Sequence, residues 1–168
     1  MIKDFIVGKS AVFIDASNIY HSQQKLKWQI DFKRLLDYLS CEANIWKAFY
    51  YTAYDPNYEQ QKKFLDFLKI IGYVVVTKKV KFIKNKSGKC ISKGNLDVEL
   101  TIDAMHNKNS YDTFLLFSGD SDFEALIKYL KRNNKKCLAF STKSHISIEL
   151  IKEAKFIDLK KLSGFIKR

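Results

Sequence analysis

Four aspartates stand where short apolar runs give way to polar chain. Asp15 directly follows AVFI (11–14) and precedes Asn18, while Asp120 and Asp122 follow FLLF (114–117) through Ser118 and Gly119. Asp97 heads a helical pattern in KGNLDVELTIDAM, just after a lysine-rich stretch. In open parallel sheets, functional groups collect at the carboxyl ends of strands. Carboxylates drawn from these segments to one edge repel one another unless a cation neutralises them, and oxygen-only donors suit Mg²⁺ or Mn²⁺ rather than zinc. Such a cluster in a basic protein points to metal-assisted phosphate chemistry. Each part also has a structural reading: Asp120 to Asp122 as helix caps, Asp15 to Asn18 as a helix entry, Asp97 as a first-turn acid. The joint pattern carries the metal reading.

Positioning these acids requires strands that alternate with helices. Residues 11–14, 45–51, 73–76, 114–117 and 137–140 are short, apolar and bounded by polar residues, as buried strands are. Asp55 and Pro56 read as an N-cap and first helical residue, with Phe64, Leu65, Leu68 and Ile71 on one face and Gly72 as the stop. Ser121 to Glu124 has capping-box form, followed by Leu126, Ile127 and Leu130, with Asn133 and Asn134 ending the helix. This alternation predicts an α/β fold with a mostly parallel central sheet and helices on both faces. Residues 78–93 break the pattern: seven lysines and no acid surround a turn-like Asn85 to Gly88. A basic β-hairpin, an extended arm or a solvated loop all fit that composition.

The chain of 168 residues fits one domain, 1–168, and its single proline and six glycines leave no flexible linker. Thirty Lys and Arg against 18 Asp and Glu give a formal net charge of +12, which favours a polyanionic partner. Cys41, Cys90 and Cys137 are too scattered for a zinc site or a disulfide framework and read as reduced thiols of a cytoplasmic protein. The apolar runs are too short to span a bilayer, so no membrane partner is expected.

Sharper motifs fail on inspection. Gly8, Lys9 and Ser10 resemble the end of a phosphate-binding loop, but Lys3 stands in place of the first glycine and the motif precedes a strand. The segment from Asp120 begins like a calcium loop, yet Ala125 replaces the glycine and Lys131 the closing glutamate. His21, His106 and His145 are scattered, which supports neither a histidine metal site nor a nucleophilic triad.

Taken in order and spacing, AVFIDASNIY, KGNLDVELTIDAM and FSGDSDFEALIKYLKRNNKKCLAFS resemble the NYN domain family of PIN-like nucleases, in its bacterial LabA-like branch. The later pattern of Ser147, Leu150, Ala154 and Phe156 is also similar, and the resemblance runs from about Ala11 to Leu159. It implies a three-layer α/β/α PIN-like fold and a Mg²⁺- or Mn²⁺-dependent ribonuclease that hydrolyses phosphodiester bonds with an activated water. Asp15, Asp97, Asp120 and Asp122 would be its metal-site acids, and Asn18 would orient substrate or water. Ser118 and Asp103 would be secondary polar members, although Asp103 lies about 120° around a helix from Asp97 and so reaches the site edge or another partner rather than the same metal. Lys93 matches the family lysine. Asn95 and Leu96 lengthen the usual gap between Gly94 and Asp97.

The expected arrangement has Asp15, Asp97 and Asp120 sharing one ion, with Asp122 binding a second or acting through water. Lys79, Lys81, Lys84, Lys86 and Lys89 would hold the backbone of an RNA, single-stranded because Tyr20 and Tyr54 offer stacking surfaces for unpaired bases. Both tyrosines also have an ordinary structural reading. Two other functions share these features: a non-catalytic RNA-binding regulatory module, and a metal-dependent DNA nuclease.

Overall fold

The computed structural model describes residues 2–84 and 90–168, and for 81–84 and 90–93 it describes the backbone alone. The elements run β1 (Lys9–Asp15), α1 (Ala16–Leu26), α2 (Phe32–Glu42), β2 (Asn44–Tyr54), α3 (Glu59–Ile70) and β3 (Tyr73–Lys79). A hairpin of β4 (Lys81–Lys84) and β5 (Cys90–Lys93) follows, then α4 (Asp97–His106) and β6 (Thr113–Phe117). The chain closes with α5 (Glu124–Arg132), β7 (Lys136–Ser141), α6 (Ile148–Glu153), β8 (Lys155–Asp158) and α7 (Ser163–Ile166).

Six strands form one sheet in the order β3-β2-β1-β6-β7-β8, every pairing parallel. Successive residues of a strand point to opposite faces, and here both faces are apolar. Val12, Ile14, Leu115 and Phe117 meet Ile19 of α1, Leu35 and Leu39 of α2, and Leu65 and Leu68 of α3. Ala11, Phe13, Phe114 and Leu116 meet Leu100 and Ala104 of α4, Leu126 and Ile127 of α5, and Leu150 of α6. The result is a three-layer α/β/α fold, and two-sided burial is why the strands read as continuous apolar runs.

Several boundaries differ from expectation. The third helix begins at Glu59, not Pro56: the Asp55 carboxylate accepts the Asn57 N–H at 2.9 Å, closing a turn before the helix. Gly72 does end it, with φ of +107°. The fifth helix is entered through a 3-10 turn, Ser121–Phe123, capped by Asp120 rather than Ser121. In the lysine-rich stretch, Lys81–Lys84 pairs antiparallel with Cys90–Lys93, Lys81 opposite Lys93; the turn expected at Asn85 to Gly88, with Lys86 and Lys89, lies outside the described residues. Among the described residues no helix is long and apolar enough to cross a membrane.

Candidate metal centre

From β1 the chain moves outward to β2 and β3, whereas from β6 it moves the other way to β7 and β8. The carboxyl ends of β1 and β6 therefore flank the point where strand order reverses, the place where open α/β sheets form a crevice. A cavity of about 770 Å³ lies there, lined by Asp15, Asn18, Asp97, Asp120, His21 and His145 among others.

Two strand ends are stitched together across this crevice. Asp15 closes β1 and caps α1, one carboxylate oxygen accepting the Asn18 N–H at 3.2 Å. Its other oxygen accepts from the Ser118 hydroxyl at 3.0 Å, and the buried Ser118 Oγ in turn accepts the Asp120 N–H at 3.2 Å. The Asn18 side-chain oxygen accepts the Gly119 N–H at 2.8 Å. Asn18 thus holds the loop after β6 in place, a role its spacing did not disclose. A Cβ on Gly119 would run into the His145 carbonyl and Ser141 Oγ, so only glycine allows the loop to pass there. Phe123 is fully buried beneath the 3-10 turn, and burial worth about 2–3 kcal/mol anchors the segment that presents Asp120 and Asp122.

Asp97 arrives from the far side, at the first turn of α4. The two residues that lengthen its approach give it a partner: Asn95 Oδ1 accepts the Asp97 N–H at 2.7 Å, and Asn95 Nδ2 donates to the Asp97 carboxylate at 2.5 Å. Gly94, packed against Ala53 with no room for a Cβ, sets the hairpin's exit against β2.

One oxygen from each of Asp97, Asp120 and Asp122 lies within 4.8 Å of the others. Asp15 does not join them at that separation, although the charges of Asp97 and Asp120 act on it. The grouping therefore brings Asp122 into the closest set and leaves Asp15 as the acid that braces it. Burial pushes the Asp15 carboxyl up to about 6, with Asp97 and Asp120 adding to the rise against the hydrogen bonds from Asn18 and Ser118. Asp97 is raised as well, by burial first and then by the charges of Asp120, Asp122 and Glu99, against its bond to Asn95. Among the described residues no lysine or arginine lines the cavity. Lys78 of β3 is paired with Glu99 of α4 at 2.6 Å.

Asp103 lies apart from the cluster, accepting the buried Tyr51 hydroxyl at 2.9 Å. Lys79 is exposed at the end of β3, while Lys81, Lys84 and Lys93 follow the hairpin backbone. Tyr20 lines the cavity; Tyr54 instead packs against the core under α3. The sequence reading missed the histidines: His21 and His145 bring their ring centres to 6.0 Å at the cavity wall. They come from α1 and from the loop after β7, and no local spacing links those segments.

The NYN domain model matches residues 9–160. The chain is 35% identical to the Low amplitude and bright protein LabA of Synechococcus elongatus, over 98% of this chain and 90% of that protein. A crystal structure of a protein of unknown function from Vibrio parahaemolyticus superposes with a TM-score of 0.76 at 27% identity, covering 97% of this chain and 98% of that one.

Proposed function

The chain belongs to the NYN domain family, and from that premise we propose that it is a divalent-metal-dependent ribonuclease, cutting RNA at the acidic end of its sheet. The observation that carries this reading is the set of three carboxylates within 4.8 Å of one another, with no described lysine or arginine lining the cavity that Asp97 and Asp120 share. The donors fit the expected ion. Carboxylates this close repel one another unless a cation neutralises them, and every donor is a hard oxygen of the kind Mg²⁺ and Mn²⁺ take. Asp97, Asp120 and Asp122 would hold it, with Asp15 adding charge from the carboxylate that braces Ser118. When bound, the ion would supply Lewis acidity and charge neutralisation at the scissile phosphate and its attacking water.

The remaining work falls to the chain itself. Asp15, Ser118 and Asn18 fix the loop after β6, so that Asp120 and Asp122 do not reorganise as charge develops. With its oxygen committed to Gly119, Asn18 has its amide NH₂ left to donate to substrate or water. Lys79, Lys81, Lys84, Lys86, Lys89 and Lys93 supply the phosphate attraction expected of a chain with a net charge of +12.

Incubating labelled single-stranded RNA and DNA with the protein in Mg²⁺, Mn²⁺ or EDTA tests the reading. RNA should shorten with either metal and stay intact in EDTA. Binding without cleavage would mark a non-catalytic RNA-binding module, and equal cutting of DNA would mark a general nuclease.

A further inference from the structure

Next to the acids, the same cavity carries a row of rings that the hydrolysis does not use. Tyr20 and His21 lie on α1, with ring centres 5.7 Å apart and planes at 72°. His21 then reaches His145 at 6.0 Å and 51°. All three line the cavity with Asp15 and Asp120. Tyr20 is 58% exposed and His21 is exposed too, so neither ring is there to fill the core.

We propose that Tyr20, His21 and His145 form a stacking shelf that receives an unpaired base of the RNA, next to the phosphodiester held at the acids. This rests on the ribonuclease reading and specifies the substrate as single-stranded at that point. Aromatic faces bind bases only where the bases are unstacked, since a duplex hides them.

The shelf is mechanically part of the acidic centre. Asp15 caps the helix that carries Tyr20 and His21, and His21 stands six residues further on, about 9 Å along the axis. His145 belongs to the loop against which Gly119 packs, and the Ser147 N–H donates to the Gly119 carbonyl at 2.9 Å. A base seated between these segments is thus held at a set distance from Asp120. The chemistry of the rings also suits a base better than a phosphate. Burial, and then the charges of His21 and Lys25, hold His145 below the usual imidazole range against the pull of Asp120. An uncharged imidazole keeps its π-face and a donor and acceptor for a base edge.

Fluorescence anisotropy in EDTA, with a labelled RNA presented as a single strand and as a duplex, separates the outcomes. Replacing both histidines (His21→Ala with His145→Ala) should weaken single-strand binding at least about fivefold. Duplex binding and the slope of log affinity against log salt should not change. The double phenylalanine variant, which keeps ring faces and removes the nitrogens, should bind within about twofold of the wild type. Single-strand affinity unchanged in the alanine variant overturns the shelf. So does a salt slope shallower by about 0.7 per lost contact with phenylalanine as weak as alanine, because the rings would then be holding phosphate. Wild-type cleavage measured alongside keeps the two readings distinct. A wild type that cuts RNA while the alanine variant binds normally removes the shelf alone; one that neither binds nor cuts removes the nuclease reading and the shelf with it.

Discussion

β1 and β6 lie side by side, and aspartates stand at both ends of the pair with opposite surroundings. At the amino end, Asp112 is a latch: its carboxylate accepts the Lys9 N–H at 2.9 Å, and its own N–H donates to the Lys9 carbonyl at 2.7 Å. Its carbonyl accepts the Lys136 N–H at 3.0 Å, tying β7 into the same knot. At the carboxyl end, Asp15 and Asp120 are also hydrogen-bonded, yet Asp120 lies within 4.8 Å of Asp97 and Asp122, and the charges of Asp97 and Asp120 act on Asp15. Burial, and then the charges of neighbouring acids, raise the Asp15 and Asp97 carboxyls there. One residue type therefore stabilises the fold at one end and opposes it at the other. The strained end is where an added cation gains most, which is how acidic sites prepared for metal differ from acidic caps.

The sharpest break between the two ends should come from charge removal. Asp120→Asn keeps the size of the side chain and most of its capping, but takes away a charge from the cluster. Single-turnover cleavage of RNA should fall by about 10²–10³-fold, with the fold retained. Asp112→Asn, at the other end, should cut RNA at the wild-type rate. Equal losses in the two variants would erase the distinction.

A second contrast lies in pH. The Asp15 carboxyl is raised from 3.8 to about 6 in the folded protein, so the native state binds its proton more tightly than the unfolded chain does. Stability of the metal-free protein should therefore be highest below about pH 4 as far as Asp15 is concerned, and should fall as pH rises through 6. The change is up to about 3 kcal/mol. Urea unfolding in EDTA at a series of pH values should show this fall in the wild type and a flatter profile in Asp15→Asn. Millimolar Mg²⁺ should restore stability above pH 6 and do little below pH 4. A profile unaltered by Asp15→Asn would show that its charge is not strained.

The smallest effects concern backbone fit. Gly8 has φ of +57° and a Cβ there would strike the Asp112 carboxylate, while Gly119 is hemmed in by the His145 carbonyl and Ser141 Oγ. Alanine at either position should cost about 1–3 kcal/mol in denaturant unfolding. Only Gly119→Ala should also slow cleavage, since it displaces Asp120. Loss of cleavage in folded Gly8→Ala would mean that the two ends are coupled through the strands.

Much of this was legible from local pattern. Five strands announced themselves as apolar runs: FLLF did so through two-sided burial, its equivalent β6 being buried throughout, whereas YVVV of the edge strand β3 is apolar although only Tyr73 is buried. The edge strand β8 escaped notice: its KFID is short and only partly buried, so it has no such run. The helix entry at Glu59 was misplaced because an Asx turn at Asp55 mimics a cap. Within the site, the acids were visible as strand-end aspartates, but their grouping was not. Whether Asp15 or Asp122 stands nearer Asp97 depends on the 3-10 turn that Asp120 caps, a detail no spacing encodes. The histidine pair was hidden for the same reason, since helix α1 and the loop after β7 meet only in the folded chain.

Crystals soaked in Mn²⁺, with diffraction recorded at the manganese absorption edge, address the acidic end without reference to any substrate. An anomalous peak should appear within about 2.0–2.4 Å of carboxylate oxygens from Asp97, Asp120 and Asp122. No peak there, or a peak only at Asp112 or on the outer surface, would contradict a metal-dependent centre at the carboxyl ends of β1 and β6.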